Sequence, residues 1–319
     1  MTFNACCRRI LPLLLAGLLN ACGGGASDSA STPAATPANS TTSDSAANPG
    51  APVSVGNVAV DGRNWINYRR SQLGLSILSD NALVAQAAQS HSDYQRINDL
   101  ISHDEDPAKS GFTGIGLDAR LATAGFKLTR NNFAYGEVIS ATTNPSGFFM
   151  AEELVTAIYH RFVMFEPVFK EIGTGSGTTP RSYTYFTADF VANNGYGPGL
   201  GRGRLAVWPF NGQSGVRANF FSNQETPDPV DGVDEVGYPV SVQGDISATL
   251  AVSSFTIRPR NGSVLAVKLL QSATDPHTPS SAAAIIPLNK LDGATVYDVA
   301  FSGSADGVPV TLSWSFTTK

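Results

Sequence analysis

The chain is 319 residues long and 42% hydrophobic, with 31 Gly and 19 Pro, which suits two globular domains rich in turns. Its formal charge of -5, from 21 Lys and Arg against 26 Asp and Glu, and the lack of any basic run argue against a nucleic-acid partner. The three cysteines, Cys6, Cys7 and Cys22, are confined to the N-terminus, so the body of the chain has no disulfide, CxxC metal site or cysteine nucleophile.

Residues 1–22 hold the basic pair Arg8 and Arg9, an apolar run over 10–19, then Asn-Ala-Cys. The run is shorter than the roughly 20 residues of a membrane span and fits a secretory signal. The ending Leu19-Asn20-Ala21-Cys22 resembles a bacterial lipobox. That resemblance implies lipidation of Cys22 and, with Gly23 next, sorting to an outer membrane or the cell surface. Residues 23–55 are almost free of large apolar side chains and cannot offset their ordering entropy. They are expected to form a disordered linker that lets the body stand off the membrane.

The body divides by composition into 56–195 and 204–319. In the first part, a helix is expected over 58–74, with Gly74 as its stop, and a second from Asp80 or Asn81 to about Asn98. On the second, Leu83, Ala87, His91 and Tyr94 recur at helical steps and share one face, expected to be buried. His91 is thus read first as a core histidine. Residues 101–116 are turn-rich and carry His103 and the acidic run Asp104-Glu105-Asp106, which suits a solvated turn. A short helix fits 117–124, with Gly125 as cap and Phe126 folding back. An extended piece follows around Glu137.

Met150, Leu154, Ile158 and Phe162 step regularly by four, which predicts one helix over 150–165, stopped by Pro167, with His160 near its C-terminal end. EIGTGSG reads as a strand end and turn, and YTYFTADF as an alternating strand. The glycine-rich 193–203 lacks the strand-then-helix setting of a phosphate loop and is expected to be a linker. From Leu205 onward, short β-rich runs separated by Gly, Pro, Asn and Asp suggest a β-sandwich. His277 falls in one of its loops and is expected to be solvated.

Three motifs in order carry a resemblance: His103 in Ile-Ser-His, the turn Gly136-Glu137-Val138-Ile139, and Tyr159-His160-Arg161 ahead of Glu-Ile-Gly-x-Gly. Together with Tyr-Phe-Thr-Ala-Asp-Phe they make the region 58–193 similar to the CAP superfamily, which includes cysteine-rich secretory proteins, antigen five and plant pathogenesis-related proteins, in its disulfide-free bacterial branch. The final third resembles bacterial immunoglobulin-like modules. The resemblance implies an α+β fold: an α-β-α sandwich, then an all-β immunoglobulin-like sandwich. It implies a cleft holding two histidines and two acids, with His103, Glu137 and His160 in three of those places and His91, Tyr94, Glu153 and Arg161 as cleft-lining candidates. Val138 departs from the family's Asn, and the second acid has no clear counterpart, Glu153 being nearest.

Two imidazoles and a carboxylate suit a divalent metal such as zinc, whose bound water would be acidic enough for hydrolysis. Without metal, Glu137 would orient a histidine acid or base. Two functions follow: a cell-envelope module that binds a small ligand, a divalent ion or an envelope component, or a metal-assisted, peptidase-like hydrolase using the same cleft. No Gly-x-Ser-x-Gly elbow is present, so a serine hydrolase is not among them.

Overall fold

The structure, a computed structural model, describes residues 2–7, 48–129 and 132–319. Cys22 and most of the expected signal and linker lie outside the described residues. Residues 1–9 and 52–319 form one compact unit and 10–51 a second. Of the second only 48–51 is described, a turn in which the Ala51 N–H donates to the Asn48 carbonyl at 3.1 Å. Among the described residues no helix is long and apolar enough to cross a membrane.

The first part of the body is a three-layer α-β-α arrangement. Strand β1 (Thr2–Cys7) comes first in the chain, followed by helix α1 (Val58–Gln72), strand β2 (Ser79–Asp80) and helix α2 (Ala82–Asn98). The Asn57 side chain accepts from the Val60 N–H at the start of α1, and Asn81 accepts from Leu83 and Val84 at the start of α2. Each satisfies backbone donors that a helix start leaves open. Gly74 closes the first helix at φ 70°, the left-handed region that glycine enters at no steric cost. Helix α3 (Leu117–Thr123) ends as expected, with the Phe126 N–H returning to the Leu121 carbonyl. The buried residues of α2 are Val84, Ala87, Ala88, His91, Ser92, Tyr94 and Gln95, so Ala87, His91 and Tyr94 are inside as expected, while Leu83, expected with them, is 41% exposed.

Strands β3 (Ala134–Thr142), β4 (Glu171–Thr178) and β5 (Thr184–Ala192) form the centre of the sheet, with β4 and β3 each antiparallel to β5. EIGTGSG is therefore a full strand rather than a strand end. The remaining order is β2 beyond β4, and β1 beyond β3, followed by β8 (Glu225–Thr226). Helices cover both faces, so every residue of β5 is buried, and the alternation read from its sequence is of side-chain direction, not of exposure. Thr174 on β4 bonds the Ala59 carbonyl of α1, while Cβ atoms on its neighbours Gly173 and Gly175 would meet α2, which places α1 and α2 on opposite faces.

The single helix expected over 150–165 is two: α4 (Gly147–Thr156) and α5 (Ile158–Met164). Ala157 between them is extended, at φ -69° and ψ 123°. The N–H groups freed by the break, those of Ile158, Tyr159 and His160, all donate to the Glu225 carboxylate. A regular step of four cannot reveal such a break, because the acceptor comes from 65 to 67 residues away in sequence.

The C-terminal part is all β. β6 (Ala206–Trp208), β10 (Val240–Gln243), β13 (Ala282–Pro287) and β12 (Val267–Gln271) form one antiparallel sheet. β11 (Leu250–Pro259), β14 (Val296–Ala305) and β15 (Val308–Thr317) form another. A short ribbon pairs β7 (Asn219–Phe221) with β9 (Glu235–Gly237). All of β13 is buried. Its Ala282, Ala284 and Ile286 share a hydrophobic cluster with Ala157, Ile158, Tyr159 and Phe162 of the α5 region, and Ala283 and Ile285 project to the other side. Both faces being covered explains the unbroken apolar run AAAIIP. The stretch read as a linker is tied down as well: Leu200 and Gly201 donate their N–H groups to Asp245, and Lys170 donates to the Asn193 and Gly195 carbonyls.

Candidate functional site

The site is built on β3, where Glu137 is directly opposite Asp189 of β5. Strand alternation turns Glu137 to the face covered by α2 and α3 and Val138 to the other. His103 comes from the turn-rich loop, and its Nδ1 is 2.7 Å from Glu137 Oε1. Arg120 of α3 closes the other side: its guanidinium donates to Glu137 Oε2 at 2.5 Å and to the carbonyl of His103 at 2.7 Å. One arginine therefore fixes both the carboxylate and the backbone that carries the histidine.

Burial alone would raise the Glu137 carboxyl, but Arg120, His91 and His103 outweigh it and hold it well below the usual carboxylate range. An ionised carboxylate only accepts, so Nδ1 of His103 carries the proton; this tautomer is assigned from the network. The other ring nitrogen, Nε2, is buried and has no hydrogen-bond partner among the described residues. The side chain as a whole is 14% exposed. Asp189 is fully buried, and burial followed by the Glu137 charge pushes it well above the ordinary range.

His91 belongs to this centre. Its Nε2 is 4.0 Å from Glu137 Oε1 and 2.8 Å from the Ser102 carbonyl, and its Nδ1 is 2.9 Å from Glu105 Oε1. Both ring nitrogens thus face oxygen acceptors. Glu105 is not in a solvated turn: it is 2% exposed and accepts from the Thr113 and Gly114 N–H groups. Burial works against its ionised form, but His91 and Thr113 lead the contacts that bring it below the usual range. Tyr94 stacks on His91 with ring centroids 6.0 Å apart and accepts from the Asp106 N–H.

His160 does not join this group. It is the third residue of α5, near the start of a helix rather than the end, and its Nδ1 is 2.9 Å from Glu225 Oε1. Both partners are buried. Glu153 does not supply the second acid, since it pairs with Arg217. Arg161 is buried away from Glu137: it donates to the carbonyls of Val155, Thr156 and Pro239 and lies over the Tyr238 ring at 5.1 Å. His277 is exposed, and its ring is 5.6 Å from that of Tyr159.

Reading the sequence missed Arg120, Glu105 and Asp189. The signal for Arg120 was its place between Leu117 and Leu121 on the inner face of α3, where an unpaired charge is costly. Asp189 had a similar signal, an acid inside an apolar strand. As arranged, the donors do not fit a metal ion. Both oxygens of Glu137 are engaged, His160 is bound to Glu225, and among the described residues no group of three or more His, Cys, Asp or Glu is disposed to hold one.

The model of the cysteine-rich secretory protein family, CAP, matches residues 64–190. No curated protein matches the sequence. Among solved structures, an extracellular protein containing an SCP domain from Bacillus anthracis is 22% identical, with a TM-score of 0.36 over 43% of this chain and 40% of that one. This chain thus spans well under half the length of the Bacillus protein. An outer surface protein from Borrelia burgdorferi is 14% identical at a TM-score of 0.35, over 41% of this chain and 90% of that one. A venom allergen-like protein from Schistosoma mansoni is 14% identical at 0.30, over 44% and 91%. The match to the family model covers α2, His103, Arg120, Glu137, His160 and nearly all of β5, and residues 64–190 are a CAP domain of the cysteine-rich secretory protein family.

Proposed function

We propose that the protein acts outside the cytoplasm, held to the cell envelope through Cys22, and that its CAP domain binds a small ligand or envelope component through His103. One observation carries this reading: Nε2 of His103 is without a partner on a ring whose other nitrogen is held by Glu137. A buried polar atom left open is rare in folded proteins and calls for a ligand or an ordered water. Glu137, Arg120 and His91 hold the ring in place before binding, which lowers the ordering cost of association. Metal-assisted hydrolysis, the other reading of the same residues, draws no support from a donor set that does not fit an ion.

The test is native mass spectrometry of the protein purified from envelope fractions. A co-purifying small molecule is expected with the wild type and with His277→Ala, and not with His103→Ala. Retention of the same mass by His103→Ala would sink the assignment. Zinc-dependent cleavage of a peptide substrate, lost in Glu137→Gln, would replace binding by hydrolysis. Detergent-phase partition of the wild type but not of Cys22→Ser tests the anchor.

A further inference from the structure

The C-terminal sheet carries a groove of about 540 Å³ that the His103 site does not use. Its floor follows from the strand register. Ile257, Val299 and Trp314 are cross-strand neighbours and are buried. The adjacent rows, Arg258–Asp298–Ser315 and Thr256–Ala300–Ser313, must project to the opposite face. Three strands spaced about 4.8 Å apart make this floor roughly 10 Å wide, about the span of two sugar rings.

Two walls turn the floor into a groove. On the β15 side, the segment at Asn211 runs along the edge: the Ser315 N–H donates to the Asn211 side chain and the Gly212 N–H to the Ser315 carbonyl. On the β11 side, the Leu265 N–H donates to the Ile257 carbonyl, which sets the exposed Val264 beside the groove.

The charges in the groove are unequal. Asp298 lies between two arginines, Arg260 at 2.7 Å and Arg258 across the strand pair, and their charges hold its carboxyl below the ordinary range. Arg258 is exposed, sits directly opposite Asp298 across the strand pair and adds to the pull on that carboxylate, but donates no hydrogen bond among the described residues. With two arginines to one aspartate, the groove keeps one positive charge in excess and an exposed guanidinium among the hydroxyls of Thr256, Ser313 and Ser315 and the amide of Asn211, with Val264 and Ala300 as small apolar surfaces. A guanidinium suits a carboxylate or phosphate, hydroxyls and an amide suit a polyhydroxylated backbone, and small apolar surfaces suit the C–H faces of a pyranose. We infer that this groove binds an acidic saccharide, which gives the C-terminal region a recognition role separate from the CAP domain.

Titration calorimetry of the intact protein with trigalacturonate, maltotriose and triglutamate tests this. Trigalacturonate is expected to bind, maltotriose and triglutamate much more weakly. Arg258→Gln should weaken trigalacturonate about tenfold or more, Thr256→Val by less, and His103→Ala not at all. Arg258 and Thr256 are not core residues, so both variants should keep the wild-type circular dichroism. Absence of trigalacturonate binding at millimolar concentration, equal binding of either control ligand, or an unchanged Arg258→Gln each overturns the inference. The His103→Ala arm keeps its failure distinct from that of the CAP site.

Discussion

Oε1 of Glu225 is 2.9 Å from Nδ1 of His160, and the same carboxylate accepts the N–H groups of Ile158, Tyr159 and His160. A residue of the C-terminal region thus holds both the histidine and the first turn of the helix that carries it. Glu225→Ala strips four buried donors of their acceptor. Each buried donor left open costs about 1–3 kcal/mol, partly relieved by relaxation. The expected loss is about 3–5 kcal/mol in urea unfolding at unchanged m, while Glu225→Gln, which keeps an acceptor oxygen, loses less. A Glu225→Ala protein within about 1 kcal/mol of wild type would show that the contact is incidental.

The fully buried Arg120–Glu137 pair calls for a double-mutant cycle. Arg120→Met leaves Glu137 ionised with only histidine partners and is expected to cost about 3–5 kcal/mol. In a Glu137→Gln background the same change should cost less, by a coupling of about 1–3 kcal/mol. Additive losses would mean that Arg120 acts through packing and through the His103 and Ile115 carbonyls. Glu137→Gln should also release the tautomer of His103, read from the long-range nitrogen–proton correlations of its ring.

How much of this was legible in the sequence depends on the range of the interaction concerned. Local chemistry was readable: Asn81 capping α2, Gly125 and Phe126 ending α3, and the strand around Glu137 all follow from residues within a few positions. The order of His103, Glu137 and His160 carried the family. The partners of those residues did not, because they are chosen by tertiary packing. His91 and Glu105 meet only once the loop folds back over α2, and Glu225 reaches His160 only when the C-terminal strands dock on α5. The break at Ala157 was hidden for the same reason, and the acidic run around Glu105 looked solvated because nothing local marks its middle residue as the buried one.

Glu166 gives the stability of the fold a pH dependence. Its carboxyl lies buried between Arg70, Asp245 and the N–H groups of Val168 and Ile246, to which it is an acceptor. Burial, and to a smaller degree Asp245, pushes it up to about 8 against the opposing N–H groups and Arg70. Unfolded, it titrates near 4.3 or so. Between these values the folded protein keeps a proton that the unfolded chain has lost, so stability falls as pH rises, by up to about 1.4 kcal/mol per unit, and levels off above 8. Asp189, also raised, contributes with the same sign, whereas the lowered Glu105 and Glu137 cost stability only on acidification below the carboxylate range. Glu166→Gln is expected to flatten the decline between pH 5 and about 8 without abolishing it, and to melt higher than wild type at the alkaline end. Parallel melting curves for the two proteins across that range would place the titration elsewhere.

The Gly-x-Gly of β4 sits directly beneath α2. A Cβ on Gly173 would overlap the backbone of Val84 and Ala85, and one on Gly175 the backbone of Ala88 and Gln89. Helix α2 therefore rests directly on the strand, and no side-chain rearrangement can make room. Gly177, two residues on, differs: its nearest neighbours would be the Arg96 side chain and the Ser92 carbonyl at 3.1 Å, and the arginine can move. Gly175→Ala must lift α2 from the sheet, and α2 carries His91, whose bonds to Glu105 and the Ser102 carbonyl hold the loop of His103. The expected cost is about 3 kcal/mol, the upper end of ordinary overpacking, with faster amide exchange in the 101–105 loop. Gly177→Ala should stay within about 1 kcal/mol of wild type, with that exchange unchanged. Equal tolerance of the two alanines would mean that α2 is free to move off the strand, and that the position of His91 depends on the loop rather than on the glycines beneath it.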